Sequence, residues 1–132
     1  MTDEEARINA RFKDNPALKG REDKFTTIDA KVPVVLASWR ESLFAHEWLD
    51  ADGHIKKPSE LSEKIGQKYS DITIALDGKQ DLVRPVLGIG ITDTIEIGAG
   101  RDLFLTLAAR GIGVISVHIP KSHMKDFKIF ST

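Results

Sequence analysis

The chain contains no cysteine. That excludes disulfides, thiolate metal sites and a cysteine nucleophile. It also lacks an excess of either charge: nineteen basic and twenty acidic residues leave a formal charge of −1. No global field therefore draws it to nucleic acid or to an anionic membrane, and any such contact has to come from a local patch. Long apolar runs are missing too, since nothing approaches the roughly 18 residues of a membrane span. The opening Met1–Glu5 is acidic and has no apolar stretch of signal-peptide type. The expectation is a soluble cytoplasmic protein without membrane contact. There is no internal repeat, no low-complexity segment and no Pro/Gly/Ser-rich linker. With 132 residues, 41% hydrophobic and 30% charged, the chain predicts one domain with one core.

Thr2 and Glu5 have capping-box spacing ahead of Ala6, Ile8, Ala10 and Phe12, but the pattern is thinly apolar and Lys13–Lys24 is polar. Residues 1–24 are thus expected as a loosely ordered arm, with the domain proper at 25–132. Phe25–Leu36 carries β-branched residues around Pro33, which predicts one or two short strands with the proline at an edge or a strand start. Ser38 and Glu41 form a second capping-box pair, and Trp39, Leu43, Phe44 and Trp48 line one helical face, which predicts a helix ending in Asp50–Gly53. Pro58 and Ser59 restart a helix with Leu61, Ile65 and Tyr69 on one stripe. Ile72–Leu76 alternates like a strand and is assigned to the end of that helix. Val86–Ile91 and Thr94–Ile97 flank Thr92-Asp93 and predict a hairpin or two successive strands, bare at Gly88 and Gly90.

The most informative stretch follows. Ile95-Glu96-Ile97, Gly98-Ala99-Gly100, Arg101–Arg110, Gly111 and Val114–Pro120 read as strand, glycine loop, helix, glycine stop and strand. No Ser, Thr, Asn or Asp stands at the N-cap, so the first N–H groups of the helix lack a side-chain partner and are open to a ligand oxygen. Asp102, in the first turn, opposes an anion there. The alternative is a tight structural turn, with Arg101 solvated or paired to Asp102 or Glu96.

The run Ile95–Ile119, with Gly98, Gly100-Arg101, an apolar helix, Gly111 and a closing strand, is similar to the core motif of the ParB/sulfiredoxin-like fold, the ParB N-terminal-like nuclease domain. Gly100 stands at the motif's glycine and Arg101 at its first basic position. Leu103 falls where the family usually has a second arginine, and Ser116 where its closing strand often has proline. The cysteine that sulfiredoxins need is absent, so sulfiredoxin chemistry is excluded. The resemblance implies a small α+β domain, a mixed sheet with packed helices. Family members use this loop to hold nucleoside triphosphate phosphates, cytidine triphosphate in partition proteins and adenosine triphosphate in sulfiredoxins. Some relatives act as nucleases or free-serine kinases.

The functional expectation is therefore a nucleotide- or phosphate-binding domain in a DNA-associated or mobile-element setting. Gly98, Ala99, Gly100, Arg101 and Asp102 form its site, a nucleoside triphosphate with magnesium is its implied cofactor, and DNA or a protein is its further partner. Glu96 and Asp93, just before the loop, are the candidate catalytic acids should the domain be a magnesium-dependent nuclease or kinase. The first alternative, ahead of the nuclease or kinase, is a non-catalytic adaptor or inhibitor that binds a protein through a surface such as Trp39–Trp48. His46, His54, His118 and His123 show no metal-site spacing, and His118, near the end of the closing strand, is the one most open to another role. Lys121, Lys125 and Lys128 recur at helical spacing, which reads first as a solvated face.

Overall fold

The computed structural model describes residues 1–132 and is α+β. Its helices are α1 (Asp3–Asn9), α2 (Val32–Trp39), α3 (Glu63–Asp77) and α4 (Arg101–Ala109). Its strands are β1 (Phe12–Lys13), β2 (Phe25–Lys31), β3 (Leu82–Val83), β4 (Leu87–Ile89), β5 (Ile95–Ile97) and β6 (Val114–Pro120). They pair as three two-stranded sheets: β1 with β3 in parallel, and β2 with β6 and β4 with β5 antiparallel. The β2–β6 ladder runs from Phe25 opposite Pro120 to Lys31 opposite Val114. A parallel bridge from Val86 to His118 joins the β4 segment to its far side. β6 is thus flanked on both edges, and its Ile115, Val117 and Ile119 are fully buried. No helix is long and apolar enough to cross a membrane.

Three expectations are corrected. Phe25–Leu36 is not strand throughout: β2 stops at Lys31, and Pro33 sits in the first turn of α2. An N–H is unpartnered at that position in any helix, so proline is at no disadvantage there. The helix expected from Ser38 to Trp48 does not form either. α2 already ends at Trp39, and the Ser38 hydroxyl accepts the N–H of Ile95 at 2.9 Å instead of capping a new helix. The chain then passes through turns and a 3₁₀ turn at Ala45–Glu47. Trp39 and Trp48 go into the core, while Leu43 and Phe44 between them are left exposed. Further on, Pro58–Glu60 is a 3₁₀ turn, and α3 starts where the Ser62 hydroxyl accepts the N–H of Ile65. It continues through Ile72–Leu76 as expected.

Residues 1–24, expected as a loosely held arm, are tied to the sheet by polar contacts. Thr2 and Glu5 form the reciprocal capping box, with N–H···O distances of 2.8 and 3.1 Å. The second Glu5 carboxylate oxygen accepts the Gly113 N–H at 2.7 Å. Asn9 accepts the N–H of Ser116 at 2.7 Å and donates to the carbonyl of Val114 at 3.0 Å, acting as an extra strand residue beside β6. The Arg11 guanidinium donates to the carbonyl of Leu76 at the C-terminal end of α3 and to that of Gln80 just past it.

The backbone N–H groups of Thr2 and Gly113 hold the buried Glu5 carboxyl below its ordinary value, against a smaller opposing effect of burial. A carboxylate whose folded pKa is lowered contributes stability that is complete above its unfolded value and is lost as pH falls through the folded one. Glu5→Gln is therefore expected to destabilise the protein by about 1–3 kcal/mol near neutral pH. The difference from the natural chain should shrink below about pH 4.5. Urea unfolding of both proteins across that range checks it, and a difference that does not narrow in acid overturns the assignment.

Candidate functional site

β5 alternates Ile95 and Ile97 into the core with Glu96 outward, and the chain turns at Gly98-Ala99-Gly100 into α4. The turn is pinned from one side: the Val86 N–H donates to the Ala99 carbonyl, and the Val86 carbonyl accepts the Gly98 N–H, both at 2.9 Å. Gly100 is the N-cap at φ +85°, a left-handed conformation that favours glycine. A Cβ on Gly100 would also lie 2.9 Å from the Cα of Pro85. The loop therefore needs glycine there for conformation and for space.

No side chain caps α4. The Arg101 N–H donates to the Gly98 carbonyl at 3.2 Å and the Phe104 N–H to the Gly100 carbonyl at 3.0 Å, while those of Asp102 and Leu103 donate to no protein acceptor. Asp102, which opposes an anion in the sequence reading, faces Lys68 of α3 with Nζ and Oδ2 3.2 Å apart. Arg101 pairs with neither Asp102 nor Glu96. Its guanidinium lies over the Phe44 ring, 4.4 Å from the centroid, the geometry of a cation–π contact. Leu103 is half-buried and packs against the core.

A cleft of about 450 Å³ lies between the 39–44 segment, the β4–β5 hairpin and the start of α4, and Asp102 and Leu103 are not among its walls. Gly98 and Arg101 line it, with Trp39, Phe44, Glu41 and Glu96 among the other walls. Its rim holds three large exposed apolar side chains, Leu43, Phe44 and Ile91. Glu96 stands opposite Gly88 in the β4–β5 ladder, and its carboxylate folds over Gly90, whose missing side chain gives it room. Asp93 is at the exposed tip of the hairpin at φ +60° and does not line the cleft. The structure thus brings Glu96 to the loop's cleft and leaves Asp93 outside it.

Phe44, Glu41 and Lys68 are the site residues that sequence reasoning missed. The first two belong to the segment read as a helix, and Lys68 reaches Asp102 only through the packing of α3 on α4. Elsewhere, His118 is buried in β6, and the carboxylate and imidazole ligand atoms of Asp50, Asp52 and His54 lie within 4.8 Å of one another at the surface. The Asp50 carboxylate accepts the N–H groups of Asp52 and His54, and that turn is what gathers the three. Lys121, Lys125 and Lys128 do not share a helical face, because the chain there is 3₁₀ turns at Lys121–His123 and Lys128–Phe130 joined by further turns. No protein-family model matches the chain, and neither a curated protein nor a solved structure is significantly similar to it.

Proposed function

We propose that this is a domain of the ParB/sulfiredoxin-like kind that binds a phosphate-bearing ligand, a nucleotide in the first instance, at Gly98–Asp102, in a DNA-associated or mobile-element setting. One observation carries the reading: Arg101 and Gly98 line one cleft, and the next two N–H groups of α4, those of Asp102 and Leu103, have no protein acceptor, while Lys68 offsets the charge of Asp102. Backbone donors at a helix N-terminus and a nearby arginine are what an anionic oxygen requires. Phe44, half of it exposed beside Arg101, offers an aromatic face at the same place. Glu41 and Glu96 also line the cleft, and their charge favours delivery of the phosphates with magnesium, which would offset it.

Thermal-shift and calorimetric titration with cytidine and adenosine triphosphates and inorganic phosphate, with and without magnesium, tests this. Arg101→Ala should lower affinity about tenfold or more, the worth of one charge-assisted contact. Its fold should persist, because the contact it gives up is the stacking on Phe44, roughly 0.5–1 kcal/mol at an exposed site. Asp102→Asn removes a negative charge and frees Lys68, so it should tighten binding. Absence of stabilisation by any of these ligands at about millimolar concentration, the weak limit of specific binding, rejects the reading.

The exposed Leu43, Phe44 and Ile91 around one cleft favour a second reading, a non-catalytic adaptor that docks a protein there. In that case Leu43→Glu and Ile91→Glu abolish partner binding, whereas Arg101→Ala has no effect on nucleotide because none binds.

A further inference from the structure

We propose that His118 is a proton-operated latch: its ring nitrogen holds the backbone of Asn15, and protonation in mild acid releases residues 14–18 from the sheet. The inference is independent of the cleft. His118 is 5% exposed, and its backbone N–H donates to the Pro85 carbonyl at 2.8 Å. Its Nε2 accepts the N–H of Asn15 at 3.1 Å. A ring nitrogen can accept only when it carries no proton, so this bond assigns the neutral ring with its hydrogen on Nδ1.

The held segment has few other ties. The Asn15 side chain donates to the Arg84 carbonyl at 3.0 Å and accepts the Ala17 N–H at 2.9 Å. The Lys13 carbonyl accepts the Arg84 N–H at 2.9 Å. Asp14 is also paired with Arg84, and Leu18 is the buried apolar side chain that anchors the segment.

A proton on Nε2 turns the acceptor into a donor aimed at another donor, and it leaves the Asn15 N–H buried without a partner, a costly arrangement. The charged groups that face the ring are Asp14 and Arg84. Asp14 Oδ1 is 3.9 Å from Nε2, but it is largely exposed and already accepts from Arg84 Nη1 at 2.6 Å. Arg84 is held in place by the Ser116 hydroxyl at 3.0 Å. On β2 the residue paired with His118 is Thr27, and on the opposite edge it is Val86, neither of them charged. A protonated ring would therefore meet one shared carboxylate and one fixed cation. Burial first, and then Arg84, lower the His118 pKa, with Asp14 pulling the other way. The latch is closed above the ordinary histidine value of about 6.5 and opens as pH falls below it.

Amide hydrogen exchange by NMR at about pH 7.5 and about pH 5, the range across which histidine changes charge, tests this once intrinsic rates are corrected for. The protection of the Asn15 and Leu18 amides should fall about tenfold or more, following the His118 ring titration read from its chemical shifts, while the β2–β6 amides keep theirs. His118→Gln supplies a side-chain oxygen that accepts without titrating, so protection of the segment should become independent of pH. Should that variant not fold, Asp14→Asn, at an exposed position, removes the carboxylate that favours the protonated ring in the closed latch, so the loss of protection between neutral pH and acid should be at least as large as in the natural chain. Protection that is unchanged while His118 titrates overturns the latch, as does loss of the β2–β6 amides at the same pH. A pH-dependent release that persists in His118→Gln, or one that is smaller in Asp14→Asn than in the natural chain, does so too.

Discussion

Phe104→Ala is expected to remove about 3–5 kcal/mol of stability, the usual range for truncating a fully buried phenylalanine. The total for a domain of this size is only about 5–15 kcal/mol, so the loss is a large share of it. α4 has nine residues, too few to be helical in isolation, and its stability has to come from packing. Phe104, Leu105 and Leu107 are each 0% exposed, which places apolar groups on more than one side of the helix, as in a core element rather than a surface one. Alanine at 104 leaves a ring-sized hole in the core that the neighbours can fill only in part. For a chain between the small and mid-sized domains for which the relation is known, the melting midpoint should fall by roughly 10–20 °C. Ile74→Ala serves as the control: Ile74 is a large apolar residue that is 68% exposed on α3, and its truncation should stay within about 0.5 kcal/mol. Urea unfolding of the three proteins decides the matter, and a cost at Phe104 near that of Ile74 would remove α4 from the core.

What was legible in the sequence follows a physical line. The β5–loop–α4–β6 unit was legible because local signals mark it: alternation in Ile95-Glu96-Ile97, glycines at 100 and 111 that both take φ near +85°, and an apolar run between them. The helical assignment of Ile72–Leu76 also rests on local continuity with the stripe that precedes it. Phe25–Leu36 misled because β-branched residues flanking a proline suit both an edge strand and a helix whose first turn holds Pro33. Ser38–Trp48 misled for a different reason. Helical spacing of Trp39, Leu43, Phe44 and Trp48 is real, but burial of the two tryptophans and the bond from Ser38 to Ile95 are tertiary, and they override local propensity. The ties of residues 1–24 were invisible because they reach partners far along the chain, as single polar contacts such as Glu5 to Gly113 and Asn9 to Ser116 and as the two-residue pairing of β1 with β3. The same holds for the candidate site. Its loop and Arg101 stand out in the sequence, whereas Phe44 and Lys68 arrive by packing and carry no signature of their own.

Gly100→Ala should separate the loop's structural requirements from those of an ordinary glycine turn, because Gly111 provides a matched comparison at the other end of the same helix. Both residues have φ close to +85°, so alanine at either site meets the left-handed penalty of roughly 1–2 kcal/mol. At Gly111 nothing lies within 4 Å of an added Cβ, and the penalty ends there. At Gly100 the added carbon meets Pro85, with Cα at 2.9 Å and Cβ at 3.2 Å, atoms of a backbone and a closed ring that cannot rotate away. Overpacking of that kind adds about 1–3 kcal/mol, so Gly100→Ala should destabilise the protein by about 2–5 kcal/mol against about 1–2 kcal/mol for Gly111→Ala. The clash is relieved by moving the loop off Val86, and that displaces the two unpartnered N–H groups of Asp102 and Leu103. Ligand-induced stabilisation by nucleotide should then vanish in Gly100→Ala and survive in Gly111→Ala at temperatures where both are folded. Equal losses of stability in the two variants would mean that Pro85 yields. Nucleotide binding that persists in Gly100→Ala would mean that the backbone donors of this loop do not hold the phosphate.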